Sequence, residues 1–367
     1  ITTVQALQAT SGTFSADIIV NGGVIVGKGA NSVATNTVVG DNALDAAVTG
    51  TYNVVMGMNA GTEVTSGSSN TILGGEAGDN ITTGNSNVAV GSEALDGNTT
   101  ANNNTAVGTM ALQTSTTVSN QTAIGYQALR YSTTGTENTA VGYQTLLDNT
   151  TGDRNTALGS FALENNTTGS ENTALGRNTL GANTTASNNT AVGRDALDAN
   201  TTGGLNIAIG RNALTANTTA SENTSVGVES LEANTTGTQN CAFGFRTLED
   251  NNADHNTGFG HQVLKENTTG TENTAVGANA LYQNTTTSNC TAVGFDALQA
   301  NAAHANTAVG HASLRSNTTG AGLVALGKNS LYTNTTGNYC IAIGYDALQQ
   351  NNANNNTAVG HDSLKLN

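Results

Sequence analysis

The sequence predicts an all-β protein: a parallel β-solenoid, or β-roll, with one 16–17-residue rung per repeat and about 20 rungs, assembled as a homotrimeric rod. Three observations predict it. A glycine recurs at a nearly constant step along almost the whole chain. Each step pairs a short β-compatible phrase with a turn phrase. No sustained helical periodicity of apolar residues competes with them.

The glycine falls at Gly40 and every 17 residues to Gly244, a run that includes Gly108, Gly125, Gly142, Gly159, Gly176, Gly193 and Gly210. It continues at Gly260, Gly277, Gly294, Gly310, Gly327, Gly344 and Gly360 in steps of 16 or 17. The residue before it is always apolar, as at Val107, and the one before that is usually Ala. Leu stands four residues after it in 18 of 20 units, among them Leu112, Leu129 and Leu146, with Gly61 and Gly78 as the exceptions. Asn stands four residues before it in 16 of 20, among them Asn104 and Asn138; Gln121, Cys290, Leu323 and Cys340 replace it elsewhere.

Seventeen residues are too few for a helical pair, which needs about 30 or more. Thr-Ala-Val-Gly suits a strand, and Asn-Thr-Thr-Gly suits a turn that places Asn and Gly in left-handed backbone. Two short strands and two turns per unit therefore build one rung, stacked on the next at about 4.8 Å, so the 20 units predict a rod of roughly 90 Å. The glycine marks a corner with positive φ, or a point where a neighbouring backbone leaves no room for a Cβ. Stacked Asn side chains are expected to form an amide ladder, to satisfy turn backbone groups, or both. A rung with one Val-like and one Leu-like residue has little interior, so an outward-facing apolar residue would need another chain to cover it.

Residues 1–35 break the repeat and read as a β cap or junction, and residues 36–367 as the solenoid shaft. Within the cap, Thr13–Val20 and Val24–Gly27 read as strands joined by a turn at Asn21-Gly22-Gly23. The chain opens on Ile1 without a signal-peptide pattern, as expected of a processed product or a segment of a longer chain. It ends inside a rung, where a further segment or partner is expected to dock. From Gly244 a 50-residue period appears, seen in Phe245, Phe295 and Tyr345, in His261, His311 and His361, and in Cys290 and Cys340. Three rungs thus form a duplicated block.

Composition removes several functions. Lys+Arg is 11 against Asp+Glu 26, a net charge of −15, so no nucleic-acid partner is expected. No run of about 18 apolar residues exists, so no membrane insertion is expected. No nucleophile triad, phosphate loop or calcium repeat is present, and no acid pair recurs as glycoside hydrolysis requires, so neither enzyme activity nor a cofactor is expected. The only metal candidates are His261, His311 and His361, which could meet around a threefold axis, although their position one residue after the glycine reads as a solvent-facing edge. Cys241, Cys290 and Cys340 lie about three rungs apart, beyond disulfide reach within one chain, and read as small packed residues. Asn-Thr-Thr occurs eleven times and is formally a glycosylation sequon, but glycans on adjacent rungs would collide; a turn with Thr hydroxyls bonded to backbone is the preferred reading, and a water-ordering Thr ladder the alternative.

The phrases Asn104-Thr105-Ala106-Val107-Gly108 and Gln121-Thr122-Ala123-Ile124-Gly125 resemble repeats of YadA-like trimeric autotransporter heads. The stretch from Asn138 to Leu146 and the segment Asp17–Gly22 are similar to repeat regions of tail fibres of marine and cyanobacterial phages. The resemblance spans about residues 13–367, and two departures stand out: the rungs here are longer than those of the YadA-like heads, and the Leu four after the glycine is absent there. It implies a trimeric left-handed β-roll serving as a virion fibre shaft, bound to other fibre proteins at its ends and to a host-surface receptor, glycans included. A bacterial surface adhesin or extracellular filament is the second reading. An ice-binding solenoid and a polysaccharide-degrading tailspike stand further off.

Overall fold

The computed structural model describes residues 18–20 and 24–366. Strand β1 (Ile18–Val20) pairs antiparallel with β2 (Val24–Gly27), and β2 pairs antiparallel with β3 (Thr37–Val39). The predicted turn at residues 21–23 and the start of the first predicted strand lie outside the described residues. After β3 the pattern changes to a parallel β-solenoid with one short strand per rung.

The described residues form two compact units, divided between Thr134 and Gly135. In the first, β3 is followed by strands at Val54–Met56, Thr71–Leu73, Val88–Val90, Thr105–Val107 and Thr122–Ile124, each parallel to the one before. The second runs from Thr139–Val141 to Thr357–Val359 in the same way. Pairing is position for position, as Thr156, Ala157 and Leu158 meet Thr173, Ala174 and Leu175. The 17-residue step of the sequence thus becomes a lateral hydrogen-bond register.

Each rung holds one strand, not the two expected. The Asn-Thr-Thr leg bonds rung to rung, but its successive amides converge: the N–H groups of Thr150 and Thr151 both donate to the Thr167 carbonyl, at 3.0 Å each. Two donors on one acceptor break the even spacing of bonds that a parallel ladder needs.

The strand's three side chains divide cleanly. The middle residue, usually Ala, points inward and is fully buried, whereas its neighbours point outward. Leu four after the glycine also points inward, with no exposed surface at Leu112, Leu129 or Leu146. Within each unit the interior therefore closes around Ala, Leu and Asn of a single chain. The apolar interior of a typical rung is as small as expected, mainly one Leu with one or two Ala, and buried Asn amides fill the rest.

Candidate functional site

The repeat glycines combine both expected roles. Their φ lies between 116° and 147°, and a Cβ at Gly108 would sit 2.4 Å from the carbonyl oxygen of Gly125. The same clash occurs at Gly142, Gly159, Gly176, Gly193 and Gly210 against the next glycine of each stack, at 2.3–2.6 Å. Gly125 shares the left-handed backbone at φ 134°.

The Leu position is more unusual. All 18 of these leucines have φ between 47° and 57°, a left-handed conformation costing an L-residue roughly 1–2 kcal/mol. Gly61 and Gly78, the two exceptions in sequence, take the same conformation at φ 57° and 52°. There the missing side chain is replaced by Ile72, Val64 and Ile81, whose methyls come within 2.9–3.3 Å of where a Cβ would stand.

Two Asn columns line the interior. In the first, Asn104 donates from Nδ2 to the Val118 carbonyl at 2.7 Å, and its Oδ1 accepts from the Gln121 backbone at 2.9 Å. Asn138 does the same with Gly152 and with the Asn155 backbone, at 2.8 Å each. This column chiefly satisfies backbone groups. The second column, the Asn of Asn-Thr-Thr, is the true amide ladder: Asn166 donates to Asn149 at 2.7 Å, Asn183 to Asn166 at 2.8 Å and Asn217 to Asn200 at 2.8 Å. Sequence reading placed a ladder at the first column only. Repetition of Asn-Thr-Thr carried the signal for the second.

This ladder settles the sequons. Asn98, Asn149, Asn166, Asn200 and Asn317 have no exposed surface, so their amides are closed to glycosylation. The first Thr hydroxyl bonds the next rung, as Thr150 Oγ1 does to the Thr167 carbonyl at 3.0 Å. The second Thr is exposed at Thr151, Thr168, Thr185, Thr202, Thr219 and Thr236, a row broken at Asn252-Ala253 where a rung shortens by one residue.

At the shortened rungs the ladder shifts. Asn251 turns its Nδ2 to the Ala253 carbonyl, and Asn234 Oδ1 is left buried without a partner, as is Asn334 Oδ1 100 residues on. Between them Asn284 escapes this, because its Oδ1 accepts from the Thr287 hydroxyl and, at 3.4 Å, from Asn301 Nδ2, which also donates to that hydroxyl at 3.2 Å.

His261, His311 and His361 are all exposed, and each stacks on the aromatic residue of the rung before it. Phe245–His261 centroids are 5.3 Å apart, Phe295–His311 5.4 Å and Tyr345–His361 5.0 Å, with interplanar angles of 24°, 18° and 8°. Cys290 and Cys340 are buried, Cys241 is half-buried, and all three are free thiols. Burial pushes the Cys241 and Cys290 thiols up from their ordinary range.

Carboxylate oxygens of Glu229, Glu232 and Glu249 lie within 4.8 Å of one another. Cations surround them. Arg246 Nε bonds Glu229 at 2.6 Å, Arg211 clasps the same carboxylate, and Lys265 stands 3.4 Å from Glu249. The Arg246 hydrogen bond above all holds Glu229 below the usual carboxylate range. The group ties neighbouring rungs together on the outside.

The outer strand face carries no charge at all. Both outward positions hold only Thr, Val, Ile, Leu, Met, Phe or Cys in every rung. The residue before the glycine is the larger: Met56 is 51% exposed, Leu158 50% and Leu326 46%. Phe243 and Phe259 stack along this column at 4.8 Å and 5°. No protein-family model matches the chain, and no curated protein does.

Proposed function

We propose that this chain is a structural fibre segment of a virion, a phage tail or side fibre, working as a homotrimer whose task is to hold and present a host-contacting surface. The observation that carries the reading is the charge-free outer strand face. A chain of net charge −15 that keeps every rung of one face free of ionisable groups, with an apolar column along it, is suited to meeting another apolar face. Copies of the chain supply such a face in register. Rungs hydrogen-bonded to their neighbours, without a single Pro, suit a mechanical role, and no catalytic step is part of it.

The fibre's ends would meet other virion proteins, and its flanks the host surface. Gold-labelled antibody against the chain tests the reading on intact particles. Labelling of projecting fibres on purified virions is the expected result. Labelling of bacterial outer-membrane fractions, with none on virions, would move the protein to the adhesin class.

A further inference from the structure

The geometry points to a binding site for an acidic sugar of a surface polysaccharide, a hexuronate ring, in a cleft lined by His311, Lys328, Asn329, Tyr332 and Gln349. The inference deepens the fibre reading and rests on it for the source of the glycan. The cleft holds about 410 Å³ and opens to solvent across successive rungs.

Its parts have separate chemistry. His311 brings an exposed ring to the cleft, and the stack of Phe295 on it at 5.4 Å holds that ring in place. Such a face suits the C–H groups of a pyranose ring, and Tyr332 adds a half-buried second ring. Gln349 supplies an amide donor and acceptor of the kind that sugar hydroxyls need, whereas Asn329 Nδ2 already bonds the Asp346 carboxylate at 3.1 Å.

Charge selects the class. Asp296 lies on the floor, but Arg315 Nε is 3.3 Å from its carboxylate, and the same Arg bonds Gln299 at 2.9 Å and the Tyr332 hydroxyl at 2.9 Å. That pair closes on itself and stiffens the floor. Lys328 is different: exposed, it has no ion-pair partner among the described residues, and its ammonium lies 5.6 Å from the Tyr345 ring centroid. A cation left unpaired in so acidic a chain favours a carboxylate ligand at this point.

The 50-residue period repeats the platform. Phe245–His261 and Tyr345–His361 are the same stack three rungs to either side, about 14 Å by strand spacing. Ala278 stands where the first copy would need Lys328, so the cleft at 295–349 carries a lysine that its counterpart one block earlier lacks. A polymer laid from the second of these stacks toward the third would pass Lys328 between them.

Calorimetric titration of the whole chain with oligogalacturonate and with neutral cello-oligosaccharide tests this. The expected result is uronate binding with a Kd of about 1 mM or tighter, weakened by added salt, and little heat from the neutral sugar. Lys328→Gln and His311→Ala should each weaken it by about tenfold or more, while Thr319→Ala, at an exposed Thr outside the cleft lining, leaves it unchanged. Circular dichroism of each variant confirms the fold. Equal binding of the neutral sugar, no uronate heat, or binding indifferent to Lys328→Gln in a folded variant would overturn the proposal. A negative titration leaves virion labelling untouched, and absence from virions leaves a positive titration standing, so the two failures are distinguishable.

Discussion

Gly142 lies so close to Gly159 that a Cβ on the first would sit 2.5 Å from the carbonyl oxygen of the second. Its φ of 143° is also one that L side chains rarely adopt. Gly142→Ala should therefore destabilise by at least about 3 kcal/mol in denaturant unfolding, from backbone strain and forced rung separation together. Gly75→Ala is the control. Its nearest atom to a new Cβ is the Met58 carbonyl oxygen at 3.9 Å, and a change within about 0.5 kcal/mol is expected.

The inward Leu position should be sensitive in both directions. Leu180→Ala leaves a cavity in a fully buried site without relieving the left-handed backbone, and should cost about 2–5 kcal/mol. Gly61→Leu should also destabilise, by about 1–3 kcal/mol, because Ile72 already lies 3.0 Å from the new Cβ position. Unfolding midpoints in urea measure both.

Thr287 is 3% exposed and bridges the shifted amide ladder, so its hydroxyl should be worth more than its volume. Thr287→Val keeps the shape and leaves Asn284 Oδ1 without that partner. A loss of about 1–3 kcal/mol is expected. Thr319→Val, on the exposed row, should be close to neutral.

Two carboxylates should respond to pH with opposite sign. Burial, and then the charge of Asp195, hold Asp198 above the ordinary Asp range. Its folded form binds the proton more tightly, so it destabilises at neutral pH, and the penalty fades as pH falls through the raised value toward about 3.9. Asp198→Asn should raise the neutral-pH melting temperature. Glu229, held low by Arg246, stabilises above about 4.3 and loses this as pH falls through its depressed value. Glu229→Gln should lower the neutral-pH melting temperature, with the gap closing in acid. Thermal melts across pH read both.

The step of the repeat and the glycine corner were legible in the sequence, because each follows from a local steric demand. The direction of the apolar residues was not. A three-residue strand alternates too briefly to say whether Val107 or Leu112 faces inward, and the structure turns Val107 out and Leu112 in. The left-handed Leu contradicts propensity, which reserves that backbone for Gly and Asn; stacking on adjacent rungs overrides it. Gly61 and Gly78 held a clue, since Gly takes left-handed backbone without the cost of a Cβ. The stacks of Phe245, Phe295 and Tyr345 on His261, His311 and His361 were visible as a 50-residue spacing, whereas their ring contact and the cleft at Lys328 needed coordinates.

The outer strand face is the surface on which the fibre reading turns. Phe259→Glu with Val276→Glu places two charges on its apolar column, at residues 40% and 39% exposed. Association should be lost while the far-UV β spectrum is kept, because neither side chain contributes to the interior.

The mass of the native particle, by native mass spectrometry or light scattering, is the most direct test. Three chains of 36.9 kDa predict about 111 kDa for this sequence, falling to one chain in the double Glu variant. A stable particle of 36.9 kDa, with the apolar column left open to water, would contradict the account.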